Sequence, residues 1–236
     1  MGPYRKFRLI SLSADDAVVL IRRLIRPIGW LVRPQWFVTN VALVPTAGDE
    51  PSVPPGVAVR VGSPDDAAAL APLIHGRESL AWRFARGDVV LVAELDHQVV
   101  GCTWLTNRPL RPSYFPIRVR PEPGEWYNYG LALLPQYRAR GLGRTLSRMA
   151  MTEVRRRGGK LVFGHAFRFD RIAAASHAAA GFVTVEELIG LNVLNRFVVL
   201  LSRRPRATLP NSAVPPDRDP LADLNECERI RLGRGR

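Results

Sequence analysis

A chain of 236 residues can bury one substantial core but is short for two, so one globular domain with ragged ends is expected. With 47% hydrophobic and 23% charged residues, the composition excludes a wholly disordered chain, and no apolar run reaches the ~18 residues of a membrane span. The 34 Lys plus Arg against 21 Asp plus Glu leave a net charge of +13, which selects anionic partners without distinguishing small anions, nucleic acid and acidic membrane surfaces.

The N-terminus, Met1 to Lys6, lacks a following apolar core and cleavage site, and Cys102 and Cys227 form no spaced ligand or disulfide framework. Both features fit a reducing cytoplasm, with a peripheral membrane association left open. The segment 17–44 is rich in Val, Leu, Ile and Trp with Arg22, Arg23, Arg26 and Arg33 interspersed. It reads as a basic amphipathic helix broken at Pro27 and Pro34, resting on the domain or on an anionic bilayer. Residues 1–50 are therefore expected to be an extension and linker, 51–202 the domain proper, and 203–236, dominated by Pro, Arg and Asp, a disordered tail.

Val57–Val61 alternates as a strand, and Ser63-Pro64-Asp65-Asp66 is an N-cap with proline and acids in the first turn, predicting a helix through Ile74. A second helical piece covers Ala81 to Phe84. Strands at 88–94 and 98–105 meet in a hairpin at Leu95-Asp96-His97. After a Pro and Arg-rich loop, 106–124, comes a strand from Trp126 to Leu134 stopped by Pro135. The helix of Gly143 to Arg157 has Leu142, Leu146, Met149, Ala150 and Val154 on one face. A strand at 160–167, an alanine-rich helix at 170–180 ended by Gly181, and strands at 182–188 and 195–201 follow. The fold class is α/β: a mixed, mostly antiparallel sheet of six or seven strands with helices on both faces.

Between the strand ending at Pro135 and the next helix lies Arg138-Ala139-Arg140-Gly141-Leu142-Gly143-Arg144-Thr145. Unpaired N–H groups at a helix start attract anions, and glycine lets a phosphate approach the backbone. A dinucleotide fingerprint would need glycine at Leu146; a P-loop would need glycine at Arg138 and lysine at Arg144. Neither fits.

The spacing Arg138-x-x-Gly141-x-Gly143 resembles the Gln/Arg-x-x-Gly-x-Gly/Ala acyl-CoA signature of the GNAT superfamily of N-acetyltransferases. The stretch from Asp170 through Ala173 and His177 to Gly181-Phe182 resembles that family's following helix in register, and the likeness spans residues 57–201. It implies acetyl-CoA as cosubstrate, an amine acceptor attacking directly, and no metal. It also implies that the backbone of Leu131 and Leu133 holds the pantetheine arm and the thioester, that a positioned N–H stabilises the developing oxyanion, and that N–H groups from Ala139 through Thr145 (Ala139, Arg140, Gly141, Leu142, Gly143, Arg144, Thr145) bind the diphosphate. Arg138 would add charge, and Asp170 stands where the family has asparagine. His177 replaces the usual tyrosine and would act, as imidazolium, as the acid. Ser176 is a lesser candidate. Glu125 and Tyr127, on one strand face, are candidates for the base, with His165 a third.

The loop residues Arg108, Arg111, Arg118, Arg120, Tyr114 and Phe115 lead to the expectation that the acceptor also carries negative charge. Two other readings stay open: a basic nucleic-acid-binding protein, and a non-catalytic acyl-CoA module at a membrane surface. A homodimer is compatible with every reading.

Overall fold

The computed structural model describes residues 32–45, 51–74, 79–112, 115, 117–193 and 196–203. In chain order they form β1 (Val32–Leu43), β2 (Val57–Val61), α1 (Ala67–Leu70), α2 (Leu80–Ala85), β3 (Val89–Leu95), β4 (Gln98–Thr106) and β5 (Glu125–Leu133). After these come α3 (Leu142–Arg156), β6 (Leu161–Phe167), α4 (Arg171–Ala179), β7 (Val183–Val193) and β8 (Arg196–Arg203).

Local sequence signals produce the local structures they call for. Asp96 and His97 both adopt positive φ, 50° and 63°, giving the β3–β4 hairpin a two-residue connection whose twist matches that of its strands. Ser63 caps a 3-10 turn at Pro64–Asp66 with a complete capping box, and α1 follows directly. The helix expected through Ile74 thus breaks into α1 and a second 3-10 turn, Ala71–Leu73, which carries Pro72.

The strands form one eight-stranded sheet in the order β2-β3-β4-β5-β6-β1-β7-β8. Every pairing is antiparallel except β5 with β6. The sheet therefore has more than the six or seven strands expected, and the addition is β1. The reading of 17–44 as an amphipathic helix fails for 32–43, which is a strand between β6 and β7; residues 17–31 lie outside the described residues. Trp36, Phe37, Val38, Val41 and Ala42 are all buried. A strand buried on both faces reads as a continuous apolar run without alternation, and such a run does not distinguish strand from helix. Pro34 lies in an overhang where β1 has passed the end of β6 and pairs with β7 alone. From Trp36 to Ala42 every β1 side chain is buried within the domain, and the boundary expected at 50/51 falls between strands of one sheet.

Each face of the sheet carries its own core. On one, Leu70 and Leu73 pack with Phe37, Trp104, Tyr127, Tyr129, Ile117 and Phe163; on the other, Leu142, Leu146, Ala150 and Val154 of α3 cover Leu91, Ala93, Leu105 and Val162. Burial pushes the Cys102 thiol up to about 12, so this buried side chain is an inert part of the core. Cys227 and the tail from 204 lie outside the described residues, as does Tyr114. Among the described residues no helix is long and apolar enough to cross a membrane.

Candidate active site

The parallel ladder between β5 and β6 is short. It holds Glu125↔Leu161, Trp126↔Val162 and Tyr127↔Phe163, then stops. Two features of β5 separate the strands. Opposite Cys102 to Trp104 of β4, β5 runs from Ala132 to Tyr129 and so holds one residue more. This bulge includes Gly130, whose φ of 62° is a backbone state glycine adopts without strain. Meanwhile β6 stays paired with β1 through Phe167. From Asn128 on β5 and Gly164 on β6, the two edges face one another across an open cleft.

A cavity of about 870 Å³ fills that cleft and continues to the start of α3, lined by Asn128 to Leu133, Arg138, Ala139, Gly141, Gly143, Arg144, and by Asp170 and His177 on the other wall. Its far end is lined by Leu73, Arg83, Phe115, His165 and Phe167. The turn into α3 is built from two left-handed residues, Ala139 (φ 59°) and Gly141 (φ 81°). The first helical bond runs from Thr145 N–H to Gly141 C=O at 3.0 Å. The N–H groups of Leu142, Gly143 and Arg144, in the first turn, have no acceptor within the helix and stand at its positive end.

Most of the cosubstrate residues read from the sequence thus meet in one place: Leu131, Leu133, Arg138, Ala139, Gly141, Gly143, Arg144 and Asp170 all line the cavity. The range Ala139 through Thr145 needs correction at one end, because Thr145 already donates its N–H to Gly141 and is buried. Arg140 and Leu142 do not line the cavity with their side chains; Arg140 lies over the Tyr137 ring at 5.6 Å, and Leu142 is in the core. Asp170 caps α4, accepting from the N–H groups of Ile172 and Ala173 at 3.1 and 2.9 Å.

Two further observations concern the mouth of the cleft. A Cβ added at Gly143 would meet Ser176 Oγ at 2.9 Å and approach Leu131, so glycine keeps the mouth of the cleft open. Ser176 lines the cavity, and its hydroxyl is buried with no hydrogen-bond partner among the described residues.

The acid and base candidates fare differently. Glu125 sits at the closed end of the β5–β6 ladder, where it accepts from the N–H of Glu122 at 3.1 Å, and it does not line the cavity. Period-two alternation gives the strand face it shares with Tyr127 but not where along the strand the cavity begins. Tyr127 is fully buried and bonded through its hydroxyl to His165 Nδ1 at 3.3 Å; it reaches the cavity only through that histidine. His165, half-buried among Phe37, Phe115 and Tyr127, faces the cavity, so the third base candidate is the one the fold places there.

His177 lines the cavity, in surroundings that disfavour the imidazolium expected. Burial lowers its pKa, only partly opposed by the negative charge of Asp170. Its Nδ1 meets Asn40 Nδ2 of β1 at 3.0 Å, while Asn40 Oδ1 accepts from Thr184 at 2.8 Å. With the amide assigned that way, Nδ1 accepts, and the neutral ring carries its proton on Nε2. The imidazole stacks on Phe182 at 5.0 Å between centroids. Sequence reasoning could not have found Asn40, since it lies 137 positions away on a strand not recognised as one. Asn128, a lone polar side chain within a strand, likewise gave no signal.

The fold is thus a mixed sheet opened between two parallel strands, with a glycine turn and a helix N-terminus at one end of the opening. Residues 65–182 match the family model described as the acetyltransferase (GNAT) family, and the chain belongs to that family. Among solved structures it is similar to a GCN5-related N-acetyltransferase from Sphaerobacter thermophilus, at 16% identity and TM-score 0.52, covering 76% of this chain and 56% of that one. A Drosophila protein of known structure is similar at 15% identity and TM-score 0.52, covering 79% of this chain and 63% of that one. At these identities the likeness is one of fold, and the chain spans less than two thirds of the length of either structure. No curated protein matches the chain. The strands β1, β2, β7 and β8 lie outside the residues that match the family model.

Proposed function

We propose that the protein is an N-acyltransferase that moves an acetyl or other short acyl group from coenzyme A to a primary amine by direct attack. The observation that carries this reading is the early stop of the β5–β6 ladder, with one cavity running from that opening to the α3 mouth. The first-turn N–H groups at Gly143 and Arg144, with the Arg138 and Arg144 side chains, suit a diphosphate. The edge of β5 from Leu131 to Leu133 suits an amide-containing arm, which takes up backbone hydrogen bonds as an added strand would. Acyl-coenzyme A, when bound, would supply the activated thioester.

The acceptor amine enters by the aromatic end, beside Phe115 and Phe167. His165 is the group there that takes a proton from the ammonium, directly or through water, with Tyr127 fixing its ring. The amine nitrogen forms its bond to the acyl carbon, the C–S bond breaks with its electron pair leaving on sulfur, and the second proton shed by the new amide nitrogen goes to that thiolate. Ser176 and the neutral His177 line the wall nearby as hydroxyl and N–H donors.

Calorimetric titration with acetyl-CoA, followed by thiol release across a panel of amines, tests the proposal. Micromolar binding and amine-dependent release are expected. A folded protein that binds neither acetyl-CoA nor longer acyl-CoAs would refute it.

A further inference from the structure

The loop between β4 and β5 carries Arg108, Arg111, Arg118 and Arg120, the residues from which an anionic acceptor is expected. The fold turns their charge away from the cleft. Leu110 and Val119 pair as an antiparallel bridge, each donating its N–H to the other's carbonyl, at 2.9 and 2.7 Å. Along the returning limb the side chains alternate with period two: Phe115, Ile117 and Val119 are buried, whereas Arg118 and Arg120 are exposed. Arg111 is exposed as well, and Arg108 donates to the backbone carbonyl of Arg86. Of the described residues of this loop, Phe115 alone lines the cavity.

The acceptor end therefore presents an aromatic wall. The Phe115 and Phe167 rings lie 4.8 Å apart between centroids, and Phe115 also meets Phe37 at 5.6 Å and the His165 imidazole at 5.9 Å. Leu73 lines the same end. Phe115 and Leu73 are buried within the wall, but Phe167 is 38% exposed and has ring surface to offer a ligand. Arg83 lines this end too. Its guanidinium stacks on the Trp104 and Tyr129 rings at 5.0 and 5.1 Å, and its nitrogens are buried, so the cation belongs to the wall and gives a carboxylate nothing to touch.

His165 and Phe167 alternate onto one face of β6, two residues and about 6.6 Å apart. An amine that hands its proton to His165 thus has the rest of its body against Phe167 and the edge of Phe115. We propose that the acceptor is a primary amine joined by a short methylene link to an aromatic ring, and that Phe167 is the specificity-determining residue that selects it. This inference rests on the acyltransferase reading and on the place of His165 in it. A ring at this position buries its apolar surface and packs edge-on or offset against Phe167. A carboxylate there would lose its water with no accessible guanidinium or ammonium among the described residues at this end to replace it.

A matched acceptor series tests the proposal: ethylamine and its 2-phenyl, 2-cyclohexyl and 2-carboxy derivatives, with thiol release from acetyl-CoA as the readout. The phenyl derivative should exceed ethylamine in kcat/KM by about 10-fold to 150-fold, the worth of burying one such ring. The cyclohexyl derivative should fall between them, and the carboxy derivative should be the poorest. Phe167→Ala should shrink the preference for phenyl over ethylamine by about 2-fold to 12-fold, the worth of one aromatic pair. Phe167→Leu, which keeps an apolar surface without a ring, should bring the phenyl and cyclohexyl derivatives level. Calorimetric titration with acetyl-CoA shows that each variant is folded. A wild type that binds acetyl-CoA but prefers ethylamine or the carboxy derivative, or accepts none of the four, overturns the proposal. So does a preference for phenyl that survives Phe167→Ala. If the rate with ethylamine instead climbs as the acyl group is lengthened from acetyl to hexanoyl, and Phe167→Ala removes the climb, the aromatic end holds the acyl chain and the proposal fails. Failure of the wild type to bind any acyl-CoA would instead sink the acyltransferase reading beneath it.

Discussion

Gly141 and Gly143 stand two residues apart in the α3 turn, yet replacing them should damage the protein by different routes. Gly141 has φ 81° and nothing within 4 Å of where a Cβ would go, so Gly141→Ala incurs backbone strain without filling space. Left-handed backbone costs a non-glycine residue about 1–2 kcal/mol, or for a chain of this size roughly 2–4 °C of melting temperature per kcal/mol. Gly158, at the other end of the same helix, has φ 76° and equally open surroundings. It lies about 25 Å from the turn at 1.5 Å per residue, which makes Gly158→Ala a strain control remote from the site.

Gly143 has ordinary helical backbone, but its Cβ would come within 2.9 Å of Ser176 Oγ and its larger branches would enter the cleft toward Leu131. Gly143→Val should therefore fold with little thermal change and bind acetyl-CoA poorly. Loss of one hydrogen bond to a charged group is worth about 1.5–3 kcal/mol, hence a dissociation constant weaker by about 10-fold to 150-fold. Calorimetric titration of the three variants beside melting curves separates the contributions. Gly158→Ala should lose stability and keep affinity, Gly143→Val should do the reverse, and Gly141→Ala should lose some of each. If Gly143→Val binds acetyl-CoA as the wild type does while remaining folded, the α3 mouth is not the diphosphate site.

Other consequences follow from the geometry. His165→Ala should lower kcat by about 10²–10⁴ with acetyl-CoA affinity unchanged, and Tyr127→Phe should lower it less, whereas Glu125→Gln, at the closed end of the ladder, should leave kcat unchanged; initial rates over an acceptor series check all three. His177 is held below its ordinary pKa of 6.5, so the unfolded chain binds its proton more readily than the folded one. Its contribution is complete above that ordinary value and declines as pH falls through it toward the folded value. Urea midpoints at about pH 7.5 and about pH 5.5 should therefore diverge in the wild type and converge in His177→Gln. Asp170→Ala removes the α4 cap at a cost of about 1 kcal/mol, visible as a lower melting temperature with or without ligand.

Local chemistry was legible from the residues alone. The Arg138-x-x-Gly141-x-Gly143 spacing located the helix mouth, the capping box at Ser63 and the Asp96-His97 turn set their elements, and Gly158-Gly159 ended α3 as read. These features depend on backbone states and hydrogen bonds within a few residues, which sequence determines directly. Only tertiary structure decided that 32–43 is an interior strand, because burial on both faces erases the alternation that marks a strand. Only the fold put Glu125 at the closed end of the ladder and His165 at the cavity, since period two gives the face of a strand but not where its pairing ends. It also joined Asn40 to His177 and Thr103 to Asn128. Those relations depend on which strands become neighbours, a choice settled by burying the whole sheet rather than by any single window of sequence.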